Sequence, residues 1–194
     1  MADRKTGSAE RLLQAAKEEL LANDGYMEMS AVAKRAGASV GLAYHHFGSK
    51  TGLIAAVVDQ FYTPIREIAL GSAIPLAMDW RERERARTAA LIQYFYQEPL
   101  APLIAGRLAR EPEVLDIERA HMEAVLEAGA RNIAQGQKLG ILSPDLDPVI
   151  TVAMLMGGLR QVIDAAIQSD PLPDPDRLCR QLWRLSDGAL QLSD

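Results

Sequence analysis

One cysteine, three histidines and few aromatic residues leave this chain little from which to build metal or redox chemistry. Cys179 has no partner for an intrachain disulfide and no second thiol at metal-ligand spacing, which fits a reducing compartment. Aromatic residues make up 5% of the 194 positions, and 9 Val and 5 Thr stand against 30 Ala and 25 Leu. Good helix formers with so few β-branched residues predict an all-α chain. There is no Gly-x-Ser-x-Gly elbow and no dinucleotide-binding fingerprint. The run Gly48-Ser49-Lys50-Thr51-Gly52 looks like the end of a phosphate-binding loop. That loop needs glycine before the lysine and a second glycine five positions earlier, where Ser49 and Tyr44 stand.

The remaining absences bear on the compartment. The first residues, Met-Ala-Asp-Arg-Lys-Thr-Gly-Ser, contain no apolar run of the kind a secretory leader needs. The most apolar stretch, Val149 to Ile167, carries Arg160 and Asp164, two charges that a bilayer span would hold at high cost. It reads as a buried helix. With 48% apolar and 24% charged residues, the chain has the composition of a folded protein long enough for one or two domains. These features predict a cytoplasmic protein with no membrane partner, no metal and no cofactor.

Charge is more informative by place than by sum. The net charge is -5, yet no acidic residue lies between Glu28 and Asp59. That window holds Lys34, Arg35, His45, His46 and Lys50. It reads either as a local anion-binding footprint or as an ordinary solvated face.

Helical periodicity divides the chain. Leu12, Leu13, Ala16 and Leu20 return at helical steps after Ser8, and Asn23-Asp24-Gly25 ends that helix. Ser30 is the expected cap of a short helix over 31–36, stopped by Gly37; Ser39 is the expected cap of another over 40–47, stopped by Gly48. Three short helices with a glycine turn between the second and third read as a helix-turn-helix unit. The expected domains are therefore 1–50, a connecting helix over 51–62 running toward Pro64, and a helical domain over 63–194. Within the latter the pattern predicts helices over 79–98, 102–110, 112–138, 149–167 and from Pro175 onward.

Two of these helices predict a dimer. The 149–167 helix is apolar nearly all round, and Gly157-Gly158 in its middle permits close approach of another backbone. The last helix repeats Leu178, Leu182, Leu185, Ala189 and Leu192 at spacings of 4, 3, 4 and 3, a narrow seam. Met154, Gly157, Gly158, Leu178, Leu182 and Leu185 are the expected interface of a homodimer joined by a four-helix bundle.

The segment Gly37-x-Ser39-x-Gly41-x-x-Tyr44-x-His46-Phe47-x-Ser49-Lys50 resembles the DNA-binding region of the TetR family of transcriptional regulators. Leu12-Leu13, Ala15-Ala16, Leu20 and Gly25-Tyr26 fit that family's first helix, so the resemblance covers about residues 8–62. It implies an N-terminal helix-turn-helix domain and a C-terminal helical domain for ligand binding and dimerisation. Its function would be that of a non-enzymatic regulator, a repressor that binds a palindromic operator in double-stranded DNA and responds to a small-molecule effector.

The chemistry of the matched residues agrees. Ser39 can cap its helix and donate to a phosphate, and Gly41 leaves the backbone bare for close approach. Val40 and Leu42 are suited to thymine methyl groups; Tyr44, His45, Lys50, Lys34 and Ser30 are suited to backbone and groove. Phe47 is expected inside. Ala43 stands where the family usually has a larger apolar residue, and Leu42 where it often has a small polar one. Arg4 and Lys5 could form a short arm on the DNA.

For the effector, Tyr94, Tyr96, Arg107, His121, Met122 and Met154 are the expected lining of an apolar pocket. Two other function classes remain open at this point. One is a helical protein-interaction module; the other is a metalloenzyme built on Glu118-x-x-His121, which lacks a second such motif.

Overall fold

Side-chain caps start several of the helices in the computed structural model, which describes residues 2–71, 79–108 and 111–190. Every regular element among them is a helix. In chain order these are α1 (Ala2–Ala22), α2 (Met29–Arg35), α3 (Val40–Phe47), α4 (Lys50–Ala69), α5 (Trp80–Gln97), α6 (Ala101–Ala105), α7 (Pro112–Lys138), α8 (Pro148–Ile167) and α9 (Pro175–Leu190). The all-α fold predicted from composition is what forms.

The caps are specific. Asp79 and Glu82 form a reciprocal capping box at the start of α5, with the Asp79 carboxylate accepting from the Glu82 N–H at 2.7 Å. Asp147 accepts from the N–H groups of Val149 and Ile150, both at 2.9 Å, ahead of Pro148. Helix α7 stops at Gly140, whose φ of 70° lets the Ile141 N–H reach back to the Gly136 carbonyl.

Several boundaries differ from those read in the sequence. Helix α1 begins at Ala2, ahead of Ser8. Helix α2 begins at Met29, so Ser30 lies inside its first turn instead of capping it; Glu28 takes the cap position without a side-chain bond. Helix α4 runs through Pro64 to Ala69, although the ring deprives the Gln60 carbonyl of its helical donor. Helix α6 ends at Ala105, short of the expected Arg110; Ala109 and Arg110 lie outside the described residues, as do Leu192 and the side chains of Arg4 and Lys5.

The chain forms two compact units. The first comprises residues 1–63 together with 99–119, so the α6 segment groups with the N-terminal helices and not with the domain expected to contain it. Its buried residues include Leu12, Ala16, Leu20, Met27, Val32, Ala43 and Leu53, and α1, α2 and α3 pack on one another. The second comprises 64–98 and 120–194, in which α5, α8 and α9 pack mutually. One cluster there holds Trp80, Ile133, Leu142 and Leu190; another holds Ile92, Ile163 and Leu182. Cys179 is half-buried against the latter, and burial pushes its thiol pKa up.

Close approach of α7 and α8 depends on Gly129. A Cβ there would lie 2.2 Å from a methyl carbon of Val152, itself buried. The β-branched valine has little rotamer freedom with which to yield. Gly129→Ala should lower stability by about 1–3 kcal/mol, read as a drop in urea midpoint at unchanged m-value.

Candidate nucleic-acid interface and effector cavity

The turn between α2 and α3 is a glycine device. Gly37 has φ of 62°; its N–H bonds the Lys34 carbonyl at 3.2 Å, and the Ala38 N–H bonds the Ala33 carbonyl at 2.9 Å. This pair of bonds satisfies the last carbonyls of α2 and turns the chain into α3. Ser39 then caps α3, its hydroxyl accepting from the Leu42 N–H at 3.1 Å. At the far end, Ser49 accepts from the Gly52 N–H at 2.9 Å and starts α4. A Cβ on Gly52 would sit 2.2 Å from the Phe47 carbonyl oxygen, so this corner admits no side chain.

Between these ends α3 offers most of its surface to solvent. Ala43 is its one buried residue, fully enclosed. At about 100° per residue, Gly41 and His45 lie opposite Ala43, with Leu42 and Tyr44 on the flanks. Val40, Gly41, Tyr44 and His45 are exposed; Leu42, His46 and Phe47 are half-buried. Leu42 therefore divides its surface between packing and solvent, and Phe47 is less enclosed than expected. The small residue at 43 is what lets α3 lie close on its supports. His46 serves those supports: its Nε2 is 2.8 Å from the buried Ser8 Oγ of α1, a link that sequence spacing did not reveal.

The cations around α3 differ in availability. Lys34 and Ser30 are exposed. Lys50 pairs with Glu28 at 3.3 Å on the surface, an exchange that costs at most about 1 kcal/mol to break. Arg35, expected to add attraction, is instead structural. It donates to Glu19 at 2.7 and 2.9 Å and to Glu18 at 3.3 Å, and the Glu19 hydrogen bonds hold its pKa above the ordinary value. Arg107 is likewise placed elsewhere than predicted. It stacks over the Tyr26 ring, 3.2 Å from the centroid, in the N-terminal unit and beside Gly25.

A cavity of about 240 Å³ lies within the second unit, lined by parts of α4, α5, α7, α8 and α9. None of the six residues expected to line an effector pocket borders it. Tyr94 and Met122 are half-buried elsewhere, with burial raising the Tyr94 hydroxyl well above the usual range. Tyr96 packs on the Ile92 cluster, His121 is buried, and Met154 is 71% exposed. The cavity's polar groups are Glu84, Arg87, Thr88, Asn132 and Ser186. Trp80 Nε1 donates to Asn132 Oδ1 at 3.2 Å, Asn132 Nδ2 donates to Glu84 Oε1 at 3.0 Å, and Arg87 Nη1 donates to the same carboxylate oxygen. A signal for them was present: Glu84, Arg87 and Leu91 follow Trp80 at helical steps, inside a charge run that reads as a solvated face.

The expected dimer residues also separate. Met154 and Leu185 are more than 70% exposed, and Gly157 and Gly158 have open space above them. Leu182 is 8% exposed and belongs to the core with Ile92 and Ile163, and Leu178 packs against that cluster. The seam is thus split between core and surface: Leu178 and Leu182 meet the Ile92–Ile163 cluster, whereas Leu185 faces solvent.

A capped three-helix unit that presents α3 to solvent defines a helix-turn-helix protein. Residues 12–57 match the model of bacterial regulatory proteins of the tetR family. The HTH-type transcriptional regulator UidR of Escherichia coli K12 is 26% identical over 197 residues, covering 94% of this chain and 93% of the relative. Among solved structures, SmeT, the repressor of the Stenotrophomonas maltophilia multidrug efflux pump SmeDEF, is similar at 21% identity and a TM-score of 0.78, covering 96% of this chain and 91% of that one. Bacillus subtilis FadR, solved in complex with stearoyl-CoA, is similar at 18% identity and a TM-score of 0.77, covering 91% and 96%. The N-terminal region thus matches the tetR family of bacterial regulatory proteins, and the fold of the whole length is similar to that of these solved proteins.

Gly52→Ala tests the α3–α4 corner. With a rigid backbone carbonyl in the way, it should cost about 2 kcal/mol or more of stability, measured by chemical denaturation.

Proposed function

We propose that this chain is a TetR-family transcriptional regulator, a cytoplasmic repressor that binds a palindromic operator as a homodimer and loses affinity when a small molecule enters the cavity of the second unit. The exposed face of α3, within a window free of acidic residues, carries this reading. Val40 and the half-exposed Leu42 meet base edges; Tyr44, His45, Lys34, Ser30 and Ser39 approach the backbone, and Lys50 exchanges Glu28 for a phosphate. The protein acts by binding alone, with no catalytic step.

The homodimer reading is supported by the apolar surface of α8 and α9. Val149, Ile150, Ala153, Met154, Gly157 and Gly158 form one exposed stripe on α8, and Leu185 is exposed on α9. A second copy covers such a surface on both sides of a twofold axis. Arg160 and Asp164, paired at 3.5 Å, put charge on this helix and favour protein over lipid as the cover.

Coupling follows chain continuity. The cavity is lined by α5 and by the later turns of α7, and residues 99–119 between them belong to the N-terminal unit, where Arg107 stacks on Tyr26. A ligand that favours one arrangement of α5 and α7 thereby biases the position of the reading helices. It must bind one arrangement better than the other for any shift to occur.

Selection of bound duplexes from a random DNA library should enrich a palindrome; no enrichment at low salt would overturn the reading. On the selected operator, Lys50→Ala should lower the salt slope by about one unit, while Val40→Ala should change base preference. Met154→Asp with Leu185→Asp should yield monomers by light scattering while staying folded. Leu182→Asp should instead unfold the second unit, since it places a carboxylate in the core.

A further inference from the structure

We propose that the cavity of the second unit takes a compact, uncharged amphipathic molecule, its apolar body against Trp80 and Trp183 and a carbonyl or hydroxyl oxygen accepting from Arg87. This rests on the reading of that cavity as the effector site.

Size supplies the first argument. At about 240 Å³ the cavity falls just below the roughly 300–1,000 Å³ of sites for drug-sized ligands. A long-chain acyl thioester does not fit inside it, whatever the fold shared with FadR.

Charge supplies the second. Among the residues that line the cavity, Glu84 and Arg87 alone are ionised, and they are paired. An anion approaching Arg87 meets the Glu84 carboxylate, and a cation approaching Glu84 meets the guanidinium. Either would be stripped of water to enter a site whose own charges already cancel. A neutral ligand escapes that cost.

Hydrogen bonding supplies the third. Most donors in the cavity are spent: Trp80 on Asn132, Asn132 on Glu84, Thr88 on the Glu84 carbonyl and Ser186 on the Leu182 carbonyl. Arg87 Nε is buried and has no hydrogen-bond partner. A buried donor left unmade is costly, and a turn of the guanidinium toward a ligand oxygen in the cavity relieves it. The remaining lining, including Leu91, Val125, Val152 and Leu159, is apolar.

The chain's two tryptophans both border the cavity, so intrinsic fluorescence reports on it directly. Three probes share one compact skeleton and differ in charge: adamantyl methyl ketone, adamantanecarboxylate and adamantylmethylammonium. The full-length protein should bind the ketone about tenfold more tightly than either ion. Arg87→Lys keeps the charge opposite Glu84 but lacks Nε, and it should lose about tenfold of the ketone affinity while circular dichroism stays unchanged. Arg87→Met serves as a second variant, with a loss of ketone affinity expected in its folded fraction.

Equal or tighter binding of the carboxylate or the ammonium would overturn the proposal, as would unchanged ketone binding in Arg87→Lys. A lack of response to all three probes would overturn it as well. None of these outcomes touches operator selection, which tests DNA recognition separately. Tight carboxylate binding would leave the cavity as the effector site and reject only the ligand class.

Discussion

A helix that offers most of its surface to solvent has to be held firmly, and Ala43 is the one residue of α3 that is fully buried, with Leu42, His46 and Phe47 half-buried. One buried methyl supplies roughly 1 kcal/mol, so packing alone is a thin hold on an eight-residue helix. The holding is done at the ends and from beneath. The Gly37 turn, the Ser39 cap and the Ser49–Gly52 corner fix where α3 starts and stops, and the Ser8–His46 contact ties it to α1. Arg35 adds rigidity below by bridging α2 to Glu18 and Glu19 of α1. The cationic residues left near the reading face are the exposed Lys34 and the loosely paired Lys50.

The second unit handles the opposite problem, since it places charge inside. Glu84 and Arg87 are each mostly enclosed, and each satisfies the other, with Asn132 and Trp80 completing the chain of bonds. A pair of this kind contributes little net stability against an apolar alternative, but stranding one member is costly. It gives the cavity a defined polar pole without a net charge. That pole sits on α5 and α7, the helices that flank α6 in the chain.

Much of the DNA-binding region was legible in the sequence, because its determinants are local. Caps, glycine turns and helical periodicity act over three to five residues. Ser39, Gly37 and Gly48 do what their positions imply, and the resemblance at Gly37–Lys50 is matched by the family model over 12–57. The lining of the second unit's cavity was not legible. Aromatic and methionine residues drew attention to Tyr94, Tyr96, Met122 and Met154, whereas the cavity uses Glu84 and Arg87 from a charge run that looks solvated.

The sequence by itself determined the helices, their order and the helix-turn-helix, since backbone hydrogen bonding and capping depend on near neighbours. Tertiary structure alone decided which face of each helix turned inward. Leu182 and Leu185 lie three residues apart in the same seam, yet one is core and the other is surface. Arg107 joins Tyr26 across eighty intervening positions. Those outcomes depend on what another segment presents at the point of packing, and no local pattern records that.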